Sequence, residues 1–467
     1  MKNCVPCFPS GIKCDLSLLR PGSFRCTVKL RNKKDLASRQ TAESSGTEGI
    51  NSRDQAAGLG SHEKNKVKLE INCQPGDWAS FLSLFRPDNF RSRKPHTTMT
   101  QALPAQRLYS LDALRGFDMF WIMGAEELFH SLAKITGSPF WSALSLQFTH
   151  PAWNGFHFYD FIFPLFLFIA GVASPFSVGR DLDKGKTRRQ VLLRVIRRGL
   201  ILVLLGVIYN NGLVWKPLAE VRLPSVLGRI GLAYLLANVI FLYFRPRMQI
   251  IWFWALLIGY WLLLRLNSAP GFPAGDLTMA GNFASYIDRS VIPGKLYLGI
   301  HDPEGLVSTI PAIATGLLGI MTGTVLKNSP WTPAKKAGWM AIAGLLSLLL
   351  ALGWNSFFPI NKNLWTSSFV LLAGGFSLLL LSLFYYVIDV KGWRRWSFFF
   401  RIIGMNSILI YMSGRFIDWD YTTNSLFQWL GRWIGDPYQI LVMVCCYLLV
   451  KWLFLYVLYR KKIFLRV

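Results

Sequence analysis

Windows of about 20 mostly apolar residues, the length that crosses a bilayer as a helix, recur from residue 110 to the end of the chain. They fall near 110–130, 156–178, 191–210, 225–243, 248–266, 306–326, 337–354, 364–388, 398–417 and 438–458. The pattern predicts an all-α protein, a polytopic transmembrane helix bundle of about ten spans. The first and ninth windows are the least apolar. Residues 1–98 differ in kind: they are polar, rich in Ser, Gly and Lys around 37–68, and hold no apolar run that reads as a signal peptide. The expected division is therefore a disordered polar tail over 1–98 and a membrane domain over 99–467, with the first span serving as an uncleaved signal anchor. Met99 stands just before that span as an alternative initiator, which would make 1–98 an over-extended start.

Composition agrees with a membrane class: 52% of the 467 residues are hydrophobic and only 16% are charged. The net charge of +26 raises nucleic acid as a partner. The basic residues, however, lie in short loops between spans rather than on one face, as the positive-inside rule requires. Arg180, Lys184, Lys186, Arg188 and Arg189 fill one connection, and Arg194, Arg197 and Arg198 enter the following helix. Every second connection thereafter is basic, and the alternate ones carry far fewer basic residues, among them Lys134, Lys216, Arg222 and Lys362. This pattern places both termini in the cytoplasm and His150 outside, with the lipid bilayer as partner and no nucleic acid.

Five of seven cysteines lie in the tail, and Cys4-x-x-Cys7 invites a metal reading. No second close pair and no suitably placed histidine completes a zinc site, so no metal is expected. Cys445 and Cys446 sit in the last span as packing residues.

Ionisable groups inside spans are costly and are functional candidates by default. The first span carries Asp112, Arg115, Asp118, Glu126 and Glu127. Asp112 with Arg115 reads first as an internal ion pair. Glu126 lies eleven residues beyond Arg115, roughly 16 Å further along the helix, toward the level of His150. His150 opens the second span beside Asn154 and Asp160, whereas His130 and His157 belong to no pattern. Arg229, Asn238 and Asn406 are further polar groups within spans, each of which also serves as helix-to-helix glue. Arg194, Arg197 and Arg198, with Arg115 nearby, are either the positive-inside signal alone or a seat for phosphates.

Seven motifs follow one another over about three hundred residues. They are Ser110-Leu111-Asp112-Ala113-Leu114-Arg115-Gly116, His150-Pro151-Ala152-Trp153-Asn154-Gly155 leading to Asp160, and Arg222-Leu223-Pro224-Ser225 running to Arg229-Ile230-Gly231. Tyr286-Ile287-Asp288-Arg289, Asp302-Pro303-Glu304-Gly305, Asn361-Lys362-Asn363-Leu364-Trp365 and Gly404-Met405-Asn406-Ser407 complete the set. In these motifs the chain resembles the heparan-alpha-glucosaminide N-acetyltransferase family and its bacterial relatives, within the transmembrane acyltransferase group.

The resemblance implies transfer of an acetyl group from cytosolic acetyl-CoA to an amino sugar or glycan on the extracytoplasmic side. The family's catalytic histidine, in H-x-x-W-x-G, carries over onto His150. Glu126 stands where the lysosomal enzyme has asparagine, which is similar to the bacterial branch, and residues 1–98 do not resemble the lumenal domain of animal members. The expected roles are His150 as general base, Glu126 orienting its ring, and Asn154 or Asn406 polarising the carbonyl. Arg115, Arg194, Arg197 and Arg198 would bind acyl-CoA. Glu127, Asp160, Arg229, Asp288, Asn363 and Asn406 would contact the acceptor or serve as structural polar groups. The 267–305 loop, the longest between spans, reads as an acceptor lid. The expected location is a bacterial inner membrane; a homodimer is left open, and an amino-sugar transporter is the rival reading.

Overall fold

The computed structural model describes residues 108–465 and, earlier in the chain, two short strands. The chain divides into two units, residues 1–103 and 104–467. In the first, β1 (Lys13–Cys14) pairs antiparallel with β2 (Cys26–Thr27), Cys14 opposite Cys26. The Cys4-x-x-Cys7 spacing and the expected boundary at Met99 lie outside the described residues.

The second unit is helical, and among the described residues seven helical stretches are long and apolar enough to cross a membrane. They are Phe158–Asp183, Val226–Tyr243, Pro246–Leu266, Thr309–Asn328, Pro333–Asn355, Ser367–Val390 and Gln439–Arg460. In the chain's α numbering these contain α4 (Ile162–Asp183), α6 (Val226–Tyr243), α7 (Pro246–Leu266), α9 (Thr309–Asn328), α10 (Pro333–Asn355), α11 (Ser367–Phe384) and α15 (Gln439–Arg460). Each matches one expected window. Local chemistry sets their starts: Ser225, Thr332 and Thr366 accept backbone N–H groups as N-caps, and Pro246 and Pro333 occupy first-turn positions.

Of the other three windows, two depart from the expectation of one continuous helix and one, the third, is unbroken but rich in charge. The first is α1 (Tyr109–Phe120), then a wide π turn at Trp121–Ala125, then α2 (Glu127–Thr136). Gly124, at φ 113°, makes the break, because only glycine adopts that conformation without strain. The third window is α5 (Arg188–Asn211), whose first turns carry five arginines. The ninth is not one continuous helix: it breaks at Asn406 into α12 (Ser397–Met405) and α13 (Ser407–Phe416). The remaining helices are α3 (Pro139–Leu146), α8 (Phe283–Val291) and α14 (Trp419–Ile434).

Backbone-to-backbone contacts between small residues hold the bundle, as expected where lipid weakens the hydrophobic drive between helices. A side chain at Gly171 of α4 would collide with the Gly316 carbonyl of α9, and one at Gly319 with the Phe168 carbonyl. Gly116 and Gly404 join α1 to α12 in the same way, as Gly199 and Gly231 join α5 to α6. α4 and α9 have 72% of their apolar length buried in protein, against 22% for α10, so the former are central and the latter peripheral. The main core accordingly joins Leu114 of α1, Phe168 of α4, Ile230 of α6, Leu317 of α9 and Phe369 of α11.

Candidate active site

The connections at one end of the bundle, 147–161, 212–225, 267–308 and 356–366, are stitched into a single polar layer. Gly155 N donates to Ile360 O at 2.9 Å, Asn361 Nδ2 to Asn154 Oδ1 at 3.0 Å, and Lys295 N to Val221 O at 3.0 Å. Trp153 Nε1 donates to Leu277 O at 2.9 Å, and its ring meets that of His301 edge-on at 5.2 Å.

His150 lies on this layer with its side chain 49% exposed. Asp160, fully buried at the head of α4, directs it: Oδ1 is 2.7 Å from His150 Nδ1, and Oδ2 accepts the His157 backbone N–H at 3.0 Å. A carboxylate only accepts, so the proton sits on Nδ1 of a neutral His150 and Nε2 carries the lone pair. The Tyr159 ring lies beside the imidazole at 5.2 Å, and its hydroxyl donates to Glu126 Oε1 at 3.3 Å. Lys362 Nζ completes the group, 3.0 Å from His150 Nε2, 3.2 Å from Nδ1 and 3.3 Å from Asp160 Oδ1. Burial lowers the Lys362 pKa and the Asp160 carboxylate opposes that shift.

Beside this group stands a buried charge cluster. Arg222 donates from Nε and Nη2 to Asp302 at 2.9 and 2.8 Å, and from Nη2 also to Glu304. Burial alone would raise Asp302, but the Arg222 hydrogen bonds and charge outweigh it and hold the carboxyl below its usual range. Glu304 is pushed up by burial, against the pull of Arg229. Arg229 reaches Ser308 and the Gly305 carbonyl and stacks 4.9 Å above Trp365. Asp288 accepts Leu306 N–H at 2.9 Å, and burial raises it to about 6. His301 Nδ1 bonds Ser285 at 2.7 Å; its Nε2 makes no well-formed hydrogen bond, although the Asn363 backbone lies beside it, and burial lowers the ring to about 4.

Within the bundle, Met119, Ile122, Phe163, Phe166, Leu227 and Tyr411 are among the lining of a cavity of about 30 Å³ between α1, α4, α6 and α13. That is space for one or two water-sized groups.

No family model matches the chain. Human heparan-alpha-glucosaminide N-acetyltransferase is 30% identical to it over 433 aligned positions, which cover 80% of this chain and 62% of the human protein. The mouse heparan-alpha-glucosaminide N-acetyltransferase is 29% identical over 431 positions, covering 79% and 62%. The chain is thus similar to the heparan-alpha-glucosaminide N-acetyltransferases over most of its own length. It spans less than two thirds of the length of these relatives.

The residues singled out from sequence fall into three places. His150, Asn154, Asp160, Arg229, Asp288 and Asn363 share the polar layer, and Glu126 reaches it through Tyr159. The expected contact of Glu126 with His150 is not formed, because Asp160 already holds Nδ1. Glu127 is exposed on the first turn of α2.

Asn406 is elsewhere. Its side chain donates to Ile463 O and accepts from Leu465 N, and the adjoining Gly404 packs on the Asp112 carbonyl near the start of α1. It is thus a clamp for the C-terminal tail at the opposite end from His150. The arginines also diverge from a single phosphate seat. Arg194 pairs with Asp181, Arg198 stacks 4.7 Å over Tyr234, Arg115 pairs with Asp112 at 3.7 Å, and Arg197 is exposed. At this end Asp389 supplies the cap that Leu108 cannot, accepting the N–H groups of Tyr109 and Ser110, while Arg394 and Arg401 stack over Tyr109.

Lys362, Tyr159, Asp302 and Glu304 were not singled out as site residues, although Lys362, Asp302 and Glu304 lie in the quoted motifs. In a loop a charged side chain reads as solvated. Only the stitching of four distant connections reveals these as partners.

Proposed function

We propose that this protein is an integral membrane acyltransferase that moves an acetyl group from cytosolic acetyl-CoA to an amino sugar or glycan on the far side of the membrane. The observation that supports it best is the Asp160–His150 pair, a buried carboxylate directing a half-exposed imidazole toward solvent. In this reading α1 with α2, α5 and α12 with α13 join the seven apolar helices to make about ten crossings. Both termini are cytoplasmic, His150 is external, and the owner is a bacterial plasma membrane.

The acetyl-CoA nucleotide stays on the cytoplasmic side near the basic residues. Its acyl arm reaches the polar layer from within the bundle. The acceptor amine binds at the layer, covered by the 267–308 connection. His150 Nε2 takes a proton as the amine nitrogen attacks the thioester carbonyl carbon; the C–N bond forms, the C–S bond breaks, and the departing thiolate takes up the proton to give CoA. Asp160 keeps the ring's lone pair on Nε2 and stabilises the imidazolium formed in passing. Asn154, whose carboxamide oxygen is held by Asn361, is the candidate to polarise the carbonyl oxygen.

Full-length protein reconstituted in vesicles, with glucosamine trapped inside and labelled acetyl-CoA outside, tests the reading. Appearance of labelled N-acetylglucosamine in the lumen is expected. Passage of unaltered glucosamine across the vesicle wall, with no acetylated product, would replace the enzyme by a transporter.

A further inference from the structure

Lys362 places a primary amine where an acceptor amine must be held: 3.0 Å from His150 Nε2 and 3.3 Å from the Asp160 carboxylate. Its backbone is fixed there. Asn361 Oδ1 accepts Leu364 N–H at 2.9 Å, Thr366 Oγ1 accepts Asn361 N–H at 3.1 Å, and Trp365 N donates to the Lys362 carbonyl at 3.0 Å. Trp365 closes this turn with φ 53°, a left-handed conformation that is unfavourable for a bulky residue. Its indole is held by the Arg229 guanidinium and by Thr315 Oγ1 at 3.3 Å. A strained turn anchored on three sides holds the amine against the base.

We propose that Lys362 is itself an acyl acceptor, so that without an external amine the acetyl group passes to Lys362 Nζ. This rests on the transferase reading above. The ammonium gives a proton to His150, the free amine attacks the thioester carbonyl carbon, the amide C–N bond forms and the C–S bond breaks. The sum is ammonium plus thioester going to amide, CoA thiol and one proton released to water. The product has lost its charge, which leaves Asp160 without its lysine partner, and its acetyl group occupies the acceptor's seat. Self-acylation therefore switches the site off, and acceptor present from the start protects it.

The test incubates full-length protein in detergent with labelled acetyl-CoA, with and without glucosamine, then maps label on peptides by mass spectrometry and assays sugar transfer on the same samples. Exposed Lys295, in the 267–308 connection, reports uncatalysed acetylation. Positioning favours a held amine strongly, so label at Lys362 should exceed that at Lys295 by at least about tenfold. It should fall to the Lys295 level in His150→Ala, vanish in Lys362→Arg, and rise as transfer activity declines. Sugar transfer with no label at Lys362 overturns self-acylation and leaves the transferase reading intact; absence of both overturns the two together. Label at Lys362 that persists in His150→Ala marks simple chemical acetylation and also overturns the proposal.

Discussion

Asp160 holds His150 by one carboxylate oxygen and the His157 backbone by the other, at 2.7 and 3.0 Å, so the ring's tautomer and direction are set by the head of α4. Asparagine at 160 keeps the shape but can turn a donor toward Nδ1, which favours the wrong tautomer. Asp160→Asn is expected to lower kcat by about 10²–10⁴ with little change in KM. Steady-state kinetics on protein of unchanged melting temperature checks this, and an unaltered kcat would remove Asp160 from the mechanism.

Glu126 meets Tyr159 rather than the imidazole. Glu126→Gln retains an acceptor for the Tyr159 hydroxyl, so its loss of rate should be at least about tenfold smaller than that of Asp160→Asn, a barrier difference of 1.4 kcal/mol. Equal damage from the two substitutions would mean that Glu126 acts directly on the reacting groups.

Arg222 neutralises two buried carboxylates, Asp302 and Glu304. Arg222→Met strips Asp302 of its guanidinium partner and leaves Glu304 only the pull of Arg229, and should cost about 3–5 kcal/mol. Thermal unfolding in detergent measures it. Adding Asp302→Asn and Glu304→Gln to Arg222→Met should recover part of the loss, and a parent-like melting temperature in the single variant would show the cluster to be energetically idle.

Two buried groups of the 267–308 connection titrate in opposition. Asp288 is raised to about 6, so the folded protein binds its proton more tightly than the unfolded chain does. Its contribution to stability is full below about pH 4 and is lost as pH rises through 6. His301 is lowered to about 4, so its contribution is full above about pH 6.5 and is lost as pH falls through 4. Asp288→Asn removes the gain on acidification, and its melting temperature should fall further below the parent's between pH 6.5 and 4. His301→Gln should show the reverse trend. Parallel curves for parent and Asp288→Asn would contradict the assignment.

Hydropathy alone located the seven continuous apolar helices, because a span needs only length and apolar content. It could not foresee the breaks at Gly124 and Asn406, where one residue changes backbone direction without altering mean hydropathy. His150 was readable because an imidazole at the head of a span is costly and sits in a dense motif. Its carboxylate partner was misread as Glu126, since helical rise reports height along the bundle and says nothing of azimuth. The clamp formed by Asn406 on Ile463 and Leu465, and the approach of Lys362 to His150, span 57 to 212 residues of chain and depend on tertiary packing alone.

The most direct measurement is acetyl transfer from labelled acetyl-CoA to glucosamine by purified full-length protein, compared with His150→Ala at matched melting temperature. The account predicts a loss of at least about 10²-fold in the variant. A variant that acetylates the sugar as fast as the parent would contradict it.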